Sequence, residues 1–200
     1  MNYNNYETIE IKTDRLILKR GSFEDYLKVY EYDFNKLSGV NQVVSFERQN
    51  IRKIKSWFKG GMKNYYKKLV KAHMFDWIIY DNQEPVGNVL TGDEDLENNS
   101  IELMVNVHPS FWGRCYAKEA LSVTLDYLFK IGYEGVTCKY LDGNLKAKKL
   151  VEKLGFKPYK IKMDAYYNGD SDIIDEYVLI MKKEDWLSKT QKIKKIKVSL

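Results

Sequence analysis

The residues with the clearest chemical promise lie between Asn106 and Phe156. Val107-His108-Pro109 ends an apolar segment, and Phe111-Trp112-Gly113-Arg114-Cys115-Tyr116-Ala117 follows as a tight turn. An amphipathic stretch begins at Tyr116. A second apolar segment comes next, then a second amphipathic stretch that opens at Asn144 and closes at Gly155-Phe156. A strand feeding a tight turn that opens a helix directs backbone N–H groups at one spot. The first amides of a helix have no intrahelical acceptor and carry partial positive charge, so that spot suits a phosphate or pyrophosphate. The pattern predicts a cofactor with a nucleotide tail.

Periodicity shows which elements must hold this turn. Thr8 to Lys19 alternates as a strand, with Ile9, Ile11, Leu16 and Leu18 set against polar neighbours. Ser22-Phe23-Glu24-Asp25 resembles a capping box and starts a helix bearing Tyr26, Val29, Tyr30 and Phe34. A loop over 38–47 leads to a second helical stretch, from about Glu47 to His73, broken at Gly60-Gly61. Strands are expected at Met74–Tyr80, Pro85–Thr91, Ile101–Val107, Val136–Tyr140, Lys157–Met163 and Glu176–Met181. The stretch from Gly92 to Ser100 reads as an acidic turn, and Met163 to Asp175 as a polar loop carrying Tyr166 and Tyr167. The helix from Tyr116 places Ala117, Ala120, Leu121, Thr124, Leu125, Leu128 and Ile131 on one face and ends at Gly132. The next buries Ala147, Leu150, Val151 and Leu154. Three consecutive strands suggest an antiparallel meander, and the unit Ile101–Tyr140 should be parallel. The expected class is α/β (α+β): a mixed, mostly antiparallel central sheet with helices on both faces.

Composition narrows the setting. Two hundred residues with 44% hydrophobic content suit one domain, read here as residues 1–188. Residues 189–200 form a lysine-rich tail with Lys189, Lys192, Lys194, Lys195 and Lys197 and no acid. Removing those five from the 33 basic residues leaves 28, against 28 acidic, so the body is formally neutral. A solvated end is expected rather than a nucleic-acid arm, because no aromatic–basic motif accompanies the lysines. No apolar run is long enough for a bilayer, and the polar start lacks the core of a signal peptide. Cys115 and Cys138 are expected as free thiols in a reducing cytoplasm. His73 and His108 fall in no zinc pattern, so no metal is expected.

The order of elements, together with three motifs, resembles the GNAT N-acetyltransferase superfamily over nearly the whole chain. The first motif is Thr13-Asp14-Arg15-Leu16-Ile17-Leu18. The second runs from Pro109 to Ala120 and matches Pro-x-x-Trp-Gly-x-Gly-Tyr-Ala-x-Glu-Ala except at Cys115. The third is Asn144 with Glu152-Lys153-Leu154-Gly155-Phe156, where Ala147 stands in for a serine. The nearest branch resembles the enzymes that acetylate ribosomal-protein N-termini.

The resemblance implies the GNAT acyl-CoA N-acyltransferase fold, with acetyl-coenzyme A as co-substrate. The pyrophosphate loop would be Trp112, Gly113, Arg114, Cys115, Tyr116 and Ala117. Cys115 replaces its central glycine: either the backbone there has ordinary helix-start geometry and tolerates the side chain, which is the expectation, or cofactor binding is weakened. Met104, Val105, Asn106 and Val107 would pair with the pantetheine arm, one N–H polarising the thioester carbonyl. Asn144 would lie along that arm, and Lys148 or Lys149 near the phosphates. The acceptor would be a primary amine: a peptide α-amine, an amino acid, a polyamine or an aminoglycoside. Glu102 is the candidate base, equally readable as a solvent-facing strand residue, and His108 a weaker one. Many relatives place a tyrosine acid where this chain has Val151, which leaves solvent or Tyr167 to protonate the thiolate. The competing expectation is a non-catalytic coenzyme A-binding module. No membrane partner is expected, and a monomer or homodimer fits equally.

Overall fold

The computed structural model describes residues 9–30, 75–167 and 173–198. The expected second helix, the loop over 38–47 and the tip of the last loop (168–172) lie outside the described residues. The chain first forms β1 (Ile11–Lys12), β2 (Leu16–Lys19) and α1 (Phe23–Tyr30). The meander follows as β3 (Asp76–Asp81), β4 (Glu84–Asp95) and β5 (Ser100–Val107). A short 3-10 helix (Pro109–Phe111) leads into α2 (Tyr116–Lys130), β6 (Gly135–Leu141) and α3 (Leu145–Leu154). The chain closes with β7 (Lys157–Tyr167), β8 (Ile173–Lys182) and α4 (Lys183–Val198).

One eight-stranded sheet results, in the order β1-β2-β3-β4-β5-β6-β8-β7. Every neighbouring pair is antiparallel except β5 with β6. The main core lies on one face of the sheet. There Leu16, Leu18, Trp77, Ile79, Val89, Ile101, Leu103, Val136 and Met181 pack against Ala120, Leu121, Leu125 and Leu128 of α2, with Val151 and Leu154 of α3. These helical positions follow the three-to-four spacing of the sequence, and burial of that stripe is what holds each helix to the sheet. Phe129, in the same core, was not on the expected stripe, while Ala117 and Ile131 are only half-buried.

Several boundaries differ from expectation, each for a local reason. The first strand splits into the β1–β2 hairpin because Thr13 turns the chain, its hydroxyl accepting from the amides of Arg15 and Leu16. The acidic stretch after Thr91 is strand as far as Asp95, because a register shift between Thr91 and Glu94 lets β4 keep pairing with β5. The loop assigned to Tyr166 and Tyr167 is largely a hairpin, in which Tyr166 pairs with Ile174 and Tyr167 with Ile173. The last strand leads directly into α4, whose Trp186 donates to Asp126 of α2 at 2.6 Å. Lys189 Nζ donates to the carbonyls of Lys153 and Leu154, capping the end of α3.

The Ser22–Asp25 capping box forms as the sequence indicates. The Asp25 amide donates to Ser22 Oγ at 3.2 Å and the Ser22 amide to Asp25 Oδ2 at 2.9 Å. Tyr80 of β3 donates to the same carboxylate, which ties α1 to the sheet. Burial pushes the Asp25 carboxyl up, but the hydrogen bonds from Ser22 and Tyr80 outweigh it and hold the group below the ordinary value. Asp25→Ala should therefore cost about 1 kcal/mol in urea unfolding at neutral pH. That difference should be complete above the ordinary aspartate value of 3.8 and shrink as acid titrates the folded carboxylate.

Candidate active site

The site is built where β5 and β6 part. They pair over three rungs only, Ser100↔Gly135, Ile101↔Val136 and Glu102↔Thr137. Beyond them β5 continues to Val107 and β6 to Leu141 with no pairing between the two. Each strand keeps its outer neighbour, β4 and β8 respectively. A crevice edged by main chain therefore opens toward the Pro109–Ala117 turn.

Register decides which groups face that crevice. The His108 amide donates to Val86 O at 2.9 Å, so even-numbered residues at this end of β5 direct their main chain at β4. Odd-numbered residues direct theirs toward the gap. Two of those carbonyls have partners: Cys138 Sγ contacts Leu103 O at 3.1 Å, and Trp112 Nε1 donates to Val107 O at 2.7 Å. Between them, the N–H and C=O of Val105 face the gap without a partner strand. Of the four residues assigned to the arm, Val105 and Val107 thus turn main chain to the crevice, while Met104 and Asn106 turn theirs to β4. Asn106 Nδ2 is a buried donor with no acceptor among the described residues.

The turn at the mouth holds two left-handed residues, Gly113 (φ 81°) and Cys115 (φ 63°), on either side of Arg114. Such alternation turns successive amides toward one side, as in an anion-binding nest. Cys115 caps α2 with its backbone alone, since its side chain makes no capping bond. The amides from Gly113 to Ala117 donate to no acceptor among the described residues. The chemistry foreseen for this turn, a cluster of unclaimed N–H groups at a helix start, is what the backbone presents. A phosphate-bearing ligand fits that donor set.

A family model for the acetyltransferase (GNAT) domain matches residues 15–157. The chain belongs to the GNAT acetyltransferase family. Over 117 residues it is 25% identical to the uncharacterised N-acetyltransferase p20 of Bacillus licheniformis, covering 58% of this chain and 65% of that protein. A Methanocaldococcus jannaschii protein of unassigned activity is 29% identical over 94 residues, 45% of this chain and 19% of its own length. The chain therefore spans less than two thirds of these curated relatives. A GNAT-family acetyltransferase from Bacillus anthracis superposes with TM-score 0.69 at 19% identity, covering 88% of this chain and 99% of that one. A ribosomal-protein-S5-alanine acetyltransferase from Vibrio fischeri gives 0.70 at 15% identity, with 89% and 98% covered. At such identities the superpositions establish the fold alone.

Within this GNAT frame the Thr-x-Arg motif has a role that its sequence did not disclose. Thr13 Oγ1 donates to Glu119 Oε1, and the Arg15 guanidinium pairs with Glu119 Oε2 through Nε and Nη2. Arg15 also donates to Arg114 O at 3.3 Å and lies over the Tyr116 ring, whose hydroxyl donates to Asp81. The β1–β2 hairpin therefore clamps the start of α2 and the carbonyl at the centre of the turn. Both ends of this clamp are motif residues, 104 positions apart.

Other residues sit differently from expectation. Glu102 is 7% exposed rather than solvent-facing, and its Oε2 lies 2.5 Å from Lys139 Nζ of β6. His108 serves the 3-10 helix, its Nδ1 accepting from the Ser110 amide. Asn144 spends its side-chain oxygen on the Ala147 amide and keeps its NH2 group to offer. Lys148 and Lys149 are exposed, whereas Lys146 lies 4.1 Å above the half-exposed Trp112 ring. That cation–π contact joins the turn to α3 across the mouth of the crevice, and no single-sequence signal links the two residues. Val151 is buried in the core. Tyr167 has its backbone at the end of β7, and its side chain lies outside the described residues.

Cys115 departs furthest from its expected geometry. Its backbone is left-handed, not ordinary helix-start geometry. An L-residue there is strained by about 1–2 kcal/mol, which is why a glycine suits the position. Part of the gain from Cys115→Gly returns as unfolded-chain entropy. The variant should be more stable by about 0.5–1 kcal/mol in urea unfolding, and an equal or lower midpoint would contradict the assigned geometry.

Proposed function

We propose that this chain is an acetyl-coenzyme A-dependent N-acetyltransferase that passes the acetyl group to a primary amine, a peptide α-amine or a small amine. The observation that carries this reading is the parted β5–β6 pair, with the open main chain of Val105 leading to unclaimed amides from Gly113 to Ala117. The co-substrate supplies an activated acetyl thioester. Gly113, Arg114, Cys115, Tyr116 and Ala117 would hold its diphosphate through main-chain donors, whereas the Trp112 amide, expected among them, is already given to Pro109 O at 3.1 Å. The Val105 N–H would stabilise charge developing on the carbonyl oxygen. The Trp112 indole and the Asn144 NH2 group would border the pantetheine.

Amine protonation sets the choice of acceptor. Neutralising an ordinary lysine ε-amine at pH 7 costs about 4.6 kcal/mol, and an α-amine about 1.1 kcal/mol. Glu102 already holds an ammonium group, that of Lys139. To act as a base toward an incoming amine it must first be released from that partner. An α-amine, which demands little from a base, suits this arrangement best. Tyr167 or solvent would protonate the departing thiolate.

The non-catalytic alternative draws support from the same pair, and from Val151 lying in the core where an acid would otherwise stand. The experiment that separates them is binding of acetyl-coenzyme A by calorimetry, followed by thiol release on a panel of peptides and small amines. The enzyme reading expects binding, and release that depends on the amine. Binding with no release on any amine favours the alternative. Cys115→Gly should bind coenzyme A at least as tightly as the parent chain, since it keeps the amide and removes the strain.

A further inference from the structure

Lys139 is the primary amine that the fold itself brings to the fork. It stands two residues beyond the last paired rung, Glu102↔Thr137, on the strand that edges the gap opposite Val105. Alternation puts its side chain on the same sheet face as Glu102 and Met104. Its Nζ is 2.5 Å from Glu102 Oε2, with only 22% of the side chain exposed. The carboxylate has a prepared bed. A Cβ at Gly92 of β4 would come to 3.0 Å from Glu102 Cδ and Oε2, so a side chain there would crowd the carboxylate that glycine leaves in place. An amine and a carboxylate hydrogen-bonded to it thus sit where the strands separate, and the open main-chain donor of Val105 follows three residues further along β5.

We propose that Lys139 is an internal acetyl acceptor, modified by the chain's own acetyl thioester with Glu102 as the base. The inference rests on the acetyltransferase reading above and adds an acceptor to it. Glu102 takes one proton from the Lys139 ammonium. The free amine forms an N–C bond to the thioester carbonyl, the C–S bond breaks, and the thiolate of coenzyme A leaves. The second amine proton passes to solvent as the amide forms. The product is a neutral acetyl-lysine, and once Glu102 passes its proton to solvent its carboxylate is left without a cation at the fork. A buried carboxylate stripped of its partner is unfavourable, so the modified chain has a less stable fork and a changed acceptor face.

The full chain, incubated with acetyl-coenzyme A and no added amine, is digested and mapped by mass spectrometry. One acetyl group is expected on Lys139, suppressed by excess coenzyme A, while label on exposed Lys130 and Lys160 is slower and unaffected by coenzyme A. Glu102→Gln should slow labelling of Lys139 by about 100-fold. A second measurement needs no acyl donor. Lys139→Gln, an acetyl-lysine mimic, should lower the thermal midpoint of the ligand-free protein, and adding Glu102→Gln should restore part of it. Label confined to exposed lysines, in a protein that releases thiol on an added amine, overturns the inference and leaves the acetyltransferase reading standing. An unchanged midpoint in Lys139→Gln removes the ion pair on which the proton transfer depends, and the inference with it. Failure to bind acetyl-coenzyme A removes both.

Discussion

Two parallel strands that hold together at one end and separate at the other set the constraint on which the rest of this structure depends. A sheet interior normally satisfies every main-chain donor and acceptor, because an unpaired buried N–H or C=O costs free energy. β5 and β6 depart from that rule after the Glu102↔Thr137 rung, and each stays in place only because its other edge is fully paired. The unmet main-chain groups are what a ligand can use. The Glu102–Lys139 pair spans the two strands just where pairing stops, so opposite charges bridge the fork from the open side.

The second requirement is a rigid mouth. A nest of amides is useful only if its backbone does not collapse onto acceptors of its own. The Thr13–Arg15–Glu119 network fixes the first turn of α2 from outside and occupies the Arg114 carbonyl, leaving the amides clear. Tyr116 anchors the same turn from inside by packing in the core and donating to Asp81. Trp112 closes over the end of β5 and carries Lys146 on its face. Strain at Cys115 is thus sustained by the contacts of its neighbours Arg114 and Tyr116, in the manner of strained residues at binding sites.

Much of this was legible in the chain. The three-to-four spacing from Ala120 to Leu128 and the Gly132 stop gave α2, and Asn144 with Gly155 gave both ends of α3, because caps and amphipathic stripes are local properties. Strand extents were less readable. The residues after Thr91 look like an acidic turn, yet they pair because a bulge resets the register, and bulges depend on the partner strand. The Tyr166–Tyr167 segment looked like loop because its pairing with Ile173 and Ile174 lies across the hairpin rather than in its own pattern.

The sequence by itself determined the order of elements from β3 to β8, the family motif and the turn that exposes main-chain donors, since each rests on neighbours within a few positions. Only the tertiary structure decided which groups of β5 face the crevice, that Glu102 is buried against Lys139, that Glu119 answers Thr13 and Arg15, and that Cys115 is left-handed. Those facts join residues tens of positions apart, or depend on backbone angles that packing imposes. A side chain's type fixes what it can do, but its partner is fixed by which strand or helix the fold lays beside it.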